Sequence, residues 1–147
     1  MHFVSGGSYN GKANWVKEYY QLNRMAINEY EWISAYREES LPKNLTNIEK
    51  DIVILEGLER WIYLMVKDYD VETVKNKFQH IVTSWLQWEE EHARKLIIIG
   101  TDISKGIVPL EEYNRNWRDI TGFIYQNIVM KSKRFTYIWY GIAQHLK

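Results

Sequence analysis

Gly6 and Gly11 are spaced as G-x-x-x-x-G and Lys12 follows at once. Between a strand and a helix, such a loop offers consecutive backbone N–H groups, a helix N-terminus and an ammonium group to one polyphosphate. Gly6, Gly7, Ser8, Tyr9, Asn10, Gly11, Lys12 and Ala13 are therefore read as a phosphate-binding loop. The pattern alone is weak, because a G-x4-G-K string arises by chance in roughly 4% of chains this long. Its place strengthens it: the apolar start of the chain reads as a strand, and Trp15, Val16 and Tyr19 open a helix. The competing reading is an ordinary glycine-rich turn.

Metal-assisted phosphoryl transfer needs more than this cradle. The residue after the lysine normally gives a hydroxyl to Mg²⁺, and here it is Ala13, which has none. Backbone amides and Lys12 can still bind phosphate, whereas transfer loses a ligand. Ser8 and Asn10 carry side-chain oxygens that could substitute. A second carboxylate is expected at the end of a neighbouring strand, and Glu56 follows Ile52-Val53-Ile54-Leu55 there. It is assigned to hold Mg²⁺ through water, against the plainer reading of a polar residue closing a strand.

The elements that must position these groups follow from hydrophobic periodicity. Short apolar runs alternate with segments of helical period, as in βαβ units around a parallel sheet. Strands are predicted at His2–Ser5, Glu31–Ala35, Asp51–Leu55, Lys95–Gly100 and Thr136–Gly141, with the third and fourth central because they are the most apolar. Val71, Val74, Phe78, Ile81, Trp85 and Trp88 mark a helix over Val71–His92. A second is predicted over Leu110–Lys131, behind Pro109. The expected fold is α/β of P-loop NTPase type, a mostly parallel sheet of five or more strands with flanking helices, in a single domain over residues 1–147.

Bulk composition narrows the partners. The 147 residues carry 19 basic and 19 acidic side chains, so no global field draws the chain to nucleic acid or a membrane surface. Cysteine is absent, which removes disulfides and thiolate chemistry. The apolar stretch Phe3-Val4 is too short for a signal peptide and no window is long enough to span a membrane, so a cytoplasmic location is expected. Seven tryptophans and eleven tyrosines suit a core or subunit interface built from large rings; base stacking by one of them is open, with no ring singled out.

Several ordered motifs together resemble the adenosylcobinamide kinase / adenosylcobinamide-phosphate guanylyltransferase family of cobalamin biosynthesis. Val4-Ser5-Gly6-Gly7 through Gly11-Lys12 is similar to its opening V-T-G-G-x-x-x-G-K-S. Thr101-Asp102-Ile103-Ser104-Lys105-Gly106-Ile107-Val108-Pro109 resembles N-E-V-G-x-G-I-V-P. Arg115, Trp117, Arg118, Asp119, Gly122 and Gln126 resemble R-x-F-R-D-x-x-G-x-x-N-Q, and Tyr140-Gly141-Ile142 a last strand ending in S-G-I. Around the third strand, Glu56-Gly57-Leu58-Glu59-Arg60-Trp61-Ile62 looks like D-C-L-T-L-W-L, and Glu31–Tyr36 is similar to the second strand. The resemblance implies GTP or ATP with Mg²⁺, an adenosylcobinamide acceptor and a homotrimer.

It also implies a guanylylated histidine on a helix after the second strand. That position is lost: Arg37-Glu38-Glu39-Ser40 alone separates Tyr36 from Leu41-Pro42, and no histidine lies between His2 and His80. His80 and His92, among charged neighbours, read as solvated or capping residues without metal-ligand spacing. Asp102 keeps one acid of the family's Asn-Glu pair and is read as a candidate contact to substrate or nucleotide. Arg115, Arg118 and Asp119 read either as an ion-pair set or, for the arginines, as contacts to phosphate or corrinoid. Two functions stay open, a purine-nucleotide-dependent kinase or nucleotidyltransferase and a degenerate nucleotide- or corrinoid-binding regulator. A weaker third is a scaffold that keeps only the fold.

Overall fold

The computed structural model describes residues 1–91, 93–106 and 108–147. Along them run β1 (His2–Gly6), α1 (Lys12–Tyr19), β2 (Glu31–Ser34), β3 (Ile52–Glu56), α2 (Leu58–Asp68), α3 (Val71–Glu91), β4 (Lys95–Thr101), α4 (Glu112–Lys131), β5 (Arg134–Trp139) and β6 (Ile142–His145). The strands form one sheet in the order β2-β3-β4-β1-β5-β6, parallel throughout except for the antiparallel β5–β6 pair.

Strand side chains alternate between two faces, and both faces are covered. Phe3, Val53, Leu55, Leu96 and Ile98 meet Trp61, Phe78, Trp85 and Ile124 from α2, α3 and α4 on one side. On the other, Val4, Ile54, Ile97, Ile99 and Ile138 pack on Val16 of α1 and on Leu22. Trp61 and Trp85 are buried, and truncation of either to alanine costs about 3–5 kcal/mol.

Four expectations need correction. β3 and β4 are interior strands as expected, each with parallel neighbours on both edges, but β1 is interior as well, and with β5 and β6 outside it the midpoint of the sheet falls between β4 and β1. The third strand, expected at Asp51–Leu55, runs Ile52–Glu56: Gly57 ends it, and Leu58, Trp61, Ile62 and Met65 then recur at helical spacing as the inner face of α2. The last predicted strand stops at Trp139, and a turn at Tyr140-Gly141 leads into the unforeseen β6. The final long helix starts at Glu112, not Leu110. The predicted helix over Val71–His92 is seen as Val71–Glu91, and His92, like Ile107, lies outside the described residues. Among the described residues no helix is long and apolar enough to cross a membrane.

In register, Glu56 pairs with Ile99, and Gly6 sits between Thr101 and Ile138. The carboxyl ends of β3, β4, β1 and β5 thus share one edge, where ligands of open α/β sheets bind.

Candidate functional site

The Gly6–Ala13 loop leaves β1 at that edge. Gly6 has φ +155°, and a Cβ there would overlap the Ile138 carbonyl oxygen, so no other residue fits beside β5. The Asp102 N–H donates to the Gly6 carbonyl at 2.9 Å, the Asn10 N–H to the Gly7 carbonyl at 3.3 Å, and the Gly141 N–H to the Asn10 carbonyl at 2.9 Å. Gly11, left-handed at φ 85°, caps α1; no side chain caps that helix and no acid stands in its first turn. The first-turn N–H groups and the positive end of the helix dipole are therefore answered by no capping side chain and by no acid of the helix's own first turn.

Lys12 opens α1 and is only 9% exposed. Its Nζ donates to the Gly7 carbonyl at 2.8 Å, closing the loop on itself. Burial pushes the ammonium below the ordinary lysine value, against the opposing pull of Glu59, Glu56 and Asp102. A cavity of 530 Å³ is lined by Ser8 to Asn14 together with Tyr36, Glu56, Ile99 and Thr101, a size suited to a small organic ligand. The loop and Glu56, expected as partners from their places at two strand ends, meet in this one cavity. The Glu56 carboxylate accepts from Trp32 Nε1 at 2.9 Å, which fixes one of its oxygens. One carboxylate suits water-mediated Mg²⁺; Ala13 in the same lining offers no ligand.

A second cavity of 480 Å³ shares Ser8, Tyr36 and Thr101 with the first and continues past Glu59, Arg60, Tyr63, Asn114 and Trp117. Glu59 was not singled out from sequence, although a carboxylate on the apolar face of α2 is an available signal. It is 5% exposed and fully engaged. The Tyr36 hydroxyl donates to it, as do the Thr101 N–H at 2.8 Å and the Tyr125 hydroxyl at 3.3 Å. Burial, and next the Glu59 charge, push both phenols far above the ordinary tyrosine value. Tyr36 lies in a short 3-10 turn, Ala35–Arg37, which stands where the resemblance would require a histidine-bearing helix.

The remaining candidates lie beside the cavities. The Asp102 backbone supports Gly6, but its carboxylate turns away, accepting from Ser104 and, at 3.0 Å, from the Tyr137 hydroxyl. Burial raises its pKa, and these hydrogen bonds with Lys105 outweigh that, leaving it below the usual carboxylate range. Arg115 donates to the carbonyls of Pro109 and Leu110, and Arg118 lies 3.6 Å from Asp119; neither lines the two cavities. Nor do the described histidines. His2 is held between Tyr20 and Thr136 at the opposite end of β1, His145 bonds the same Thr136, and His80 is exposed on α3.

Across residues 23–146, the sequence matches the family model described as cobinamide kinase / cobinamide phosphate guanyltransferase. The matched span holds Glu56, Asp102, Arg115 and Arg118, and begins after the Gly6–Ala13 loop. No curated protein matches the chain.

Proposed function

The chain belongs to the cobinamide kinase / cobinamide phosphate guanyltransferase family, which acts in cobalamin biosynthesis, and on that premise we propose that it is a nucleotide-dependent kinase of a cobinamide acceptor. The phosphates of GTP or ATP sit in the Gly6–Ala13 loop and the acceptor enters from the cavity past Glu59 and Tyr63. One observation carries this reading: α1 starts at an uncapped glycine with Lys12 beside it, facing a cavity that ends on Glu56. Lys12 exchanges the Gly7 carbonyl for a phosphate oxygen, a charge-assisted bond replacing a neutral acceptor. The acceptor's hydroxyl oxygen bonds the terminal phosphorus as the bond to the bridging oxygen breaks, and its proton leaves to water. Glu56 would hold Mg²⁺ through water, and the metal when bound would supply neutralisation of the phosphate charge.

Phosphoryl transfer is favoured over guanylyl transfer through histidine, since no histidine lies between His2 and His80 in the sequence and Tyr36 occupies the turn after β2. Incubation with ATP or GTP, Mg²⁺ and adenosylcobinamide should give a phosphorylated acceptor; no product above a Lys12→Ala control refutes the kinase. Ala13 in the cavity lining favours one second reading, a protein that binds the nucleotide without turnover. Calorimetry separates the two: nucleotide affinity indifferent to Mg²⁺ and not followed by product supports the binder.

A further inference from the structure

The phosphate loop has two flanks. On the β3 side lie Glu56 and the acceptor cavity, so the reacting end of a bound polyphosphate points there. The nucleoside must then leave on the other flank, where the β5–β6 turn lies. That turn is fastened to the loop: the Gly141 N–H donates to the Asn10 carbonyl at 2.9 Å, and Asn10 Nδ2 donates to the Ile138 carbonyl at 3.4 Å. A Cβ on Gly11 would lie 3.6 Å from Gly141 Cα, so the turn touches the loop at the helix entrance.

The turn and the last residue of β5 carry two large rings that the core does not use. Tyr140 is 77% exposed at φ 47° and Trp139 is 50% exposed. Trp139 is held from behind by Tyr137, stacked at 6.3 Å, and by Lys105 Nζ, 4.3 Å from its ring centre. It meets Tyr140 edge-on at 5.6 Å, so the tyrosine has a fixed neighbour and an open face. Trp139, Tyr140, Gly141 and Ile142 bear no charge of their own, and the neighbouring Lys105 is engaged by the Tyr137 hydroxyl at 2.9 Å and by the Trp139 ring, so the open face of Tyr140 offers itself to a neutral planar ring.

We propose that Tyr140, braced by Trp139, is the platform on which the purine base of the bound nucleotide stacks. The assignment rests on the nucleotide reading above and names which of the many rings serves it. Base–aromatic stacking is sequence-tolerant, so this platform accepts GTP and ATP alike.

Calorimetry on the full chain tests it with two probes, GTP (repeated with ATP) and inorganic triphosphate. Tyr140→Asn keeps a residue that tolerates the left-handed backbone, and Tyr140→Phe keeps the ring. The asparagine variant should bind GTP about tenfold or more weakly and triphosphate as the parent does, while the phenylalanine variant keeps parental affinity for both. Unchanged GTP affinity in Tyr140→Asn overturns the proposal. Equal losses for GTP and triphosphate also overturn it, because the turn then acts on the shape of the loop. So does a change in oligomeric state with nucleotide affinity retained, which marks the rings as a subunit contact. If the parent binds neither probe, the nucleotide reading itself falls and takes the platform with it.

Discussion

His2 gives the most quantitative test of how the first strand is held. Its ring lies 4% exposed at the foot of β1, with Nδ1 2.7 Å from the Tyr20 hydroxyl and Nε2 2.8 Å from Thr136 Oγ1. Burial, reinforced by Arg134 and His145, depresses its pKa from 6.5 to about 4. At pH 7 the imidazole is neutral in both folded and unfolded chains. As pH falls below 6.5 the unfolded chain takes up the proton first, so stability present above 6.5 is lost progressively as pH falls to about 4. Below that both states are protonated and the loss stops.

The size follows from the shift. At about 1.4 kcal/mol per pKa unit, the decline between pH 7 and pH 4 amounts to roughly 3 kcal/mol from this one group. Urea unfolding at half-unit pH steps measures it, with His2→Gln as the reference that lacks the titration but keeps polar atoms for Tyr20 and Thr136. The variant is less stable at pH 7, and the gap to the parent should close toward pH 4. A gap that stays constant over that range refutes the neutral buried imidazole.

Gly6→Ala places a methyl on the Ile138 carbonyl, and should cost at least about 3 kcal/mol in urea unfolding together with nucleotide binding. Lys12→Met should weaken nucleotide binding by roughly 10- to 100-fold in calorimetry, with stability kept or raised because a buried ammonium is replaced by an apolar chain. Ala13→Ser restores a hydroxyl in the cavity lining, and should raise product formation or nucleotide affinity in Mg²⁺ but not in chelator. Glu56→Gln should tighten nucleotide binding in chelator and abolish its response to Mg²⁺; an unchanged response removes Glu56 as the metal's anchor.

How much of this was legible in sequence depended on how local each signal was. The strand–loop–helix unit at Gly6–Ala13 could be read because glycine spacing and apolar runs are properties of neighbouring residues. Helix α2 was hidden: Leu58, Trp61 and Ile62 follow an apolar strand after a single glycine, and a continuous apolar stretch does not show where period two gives way to period three to four. Strand β6 carries Ile142, Ala143, Gln144 and His145, an edge strand with too few buried residues to show an alternation. The Glu59 cluster was out of reach because its partners come from the Ala35–Arg37 turn, β4 and α4, and only the tertiary fold brings them to one carboxylate.

The charges on the cavity decide what the loop needs in order to work. Its lining holds one ammonium, Lys12, and one carboxylate, Glu56, at the end where a terminal phosphate would sit. A polyphosphate brings several negative charges, and at contact distances in a partly dehydrated site each unscreened like-charge pair costs kilocalories. The helix entrance and Lys12 would answer phosphates along the loop, but would leave Glu56 facing the terminal one. In the kinase reading the metal resolves that conflict, so the missing hydroxyl at Ala13 weakens a ligand set whose need is undiminished. In the binder reading Glu56 is an obstacle, withdrawn onto Trp32 Nε1 at 2.9 Å. The same carboxylate therefore predicts a nucleotide affinity that rises with Mg²⁺ under the kinase reading and one indifferent to it under the binder reading, and its place at the end of β3 beside the hydroxyl-free Ala13 is the reason metal dependence separates them more cleanly than affinity does.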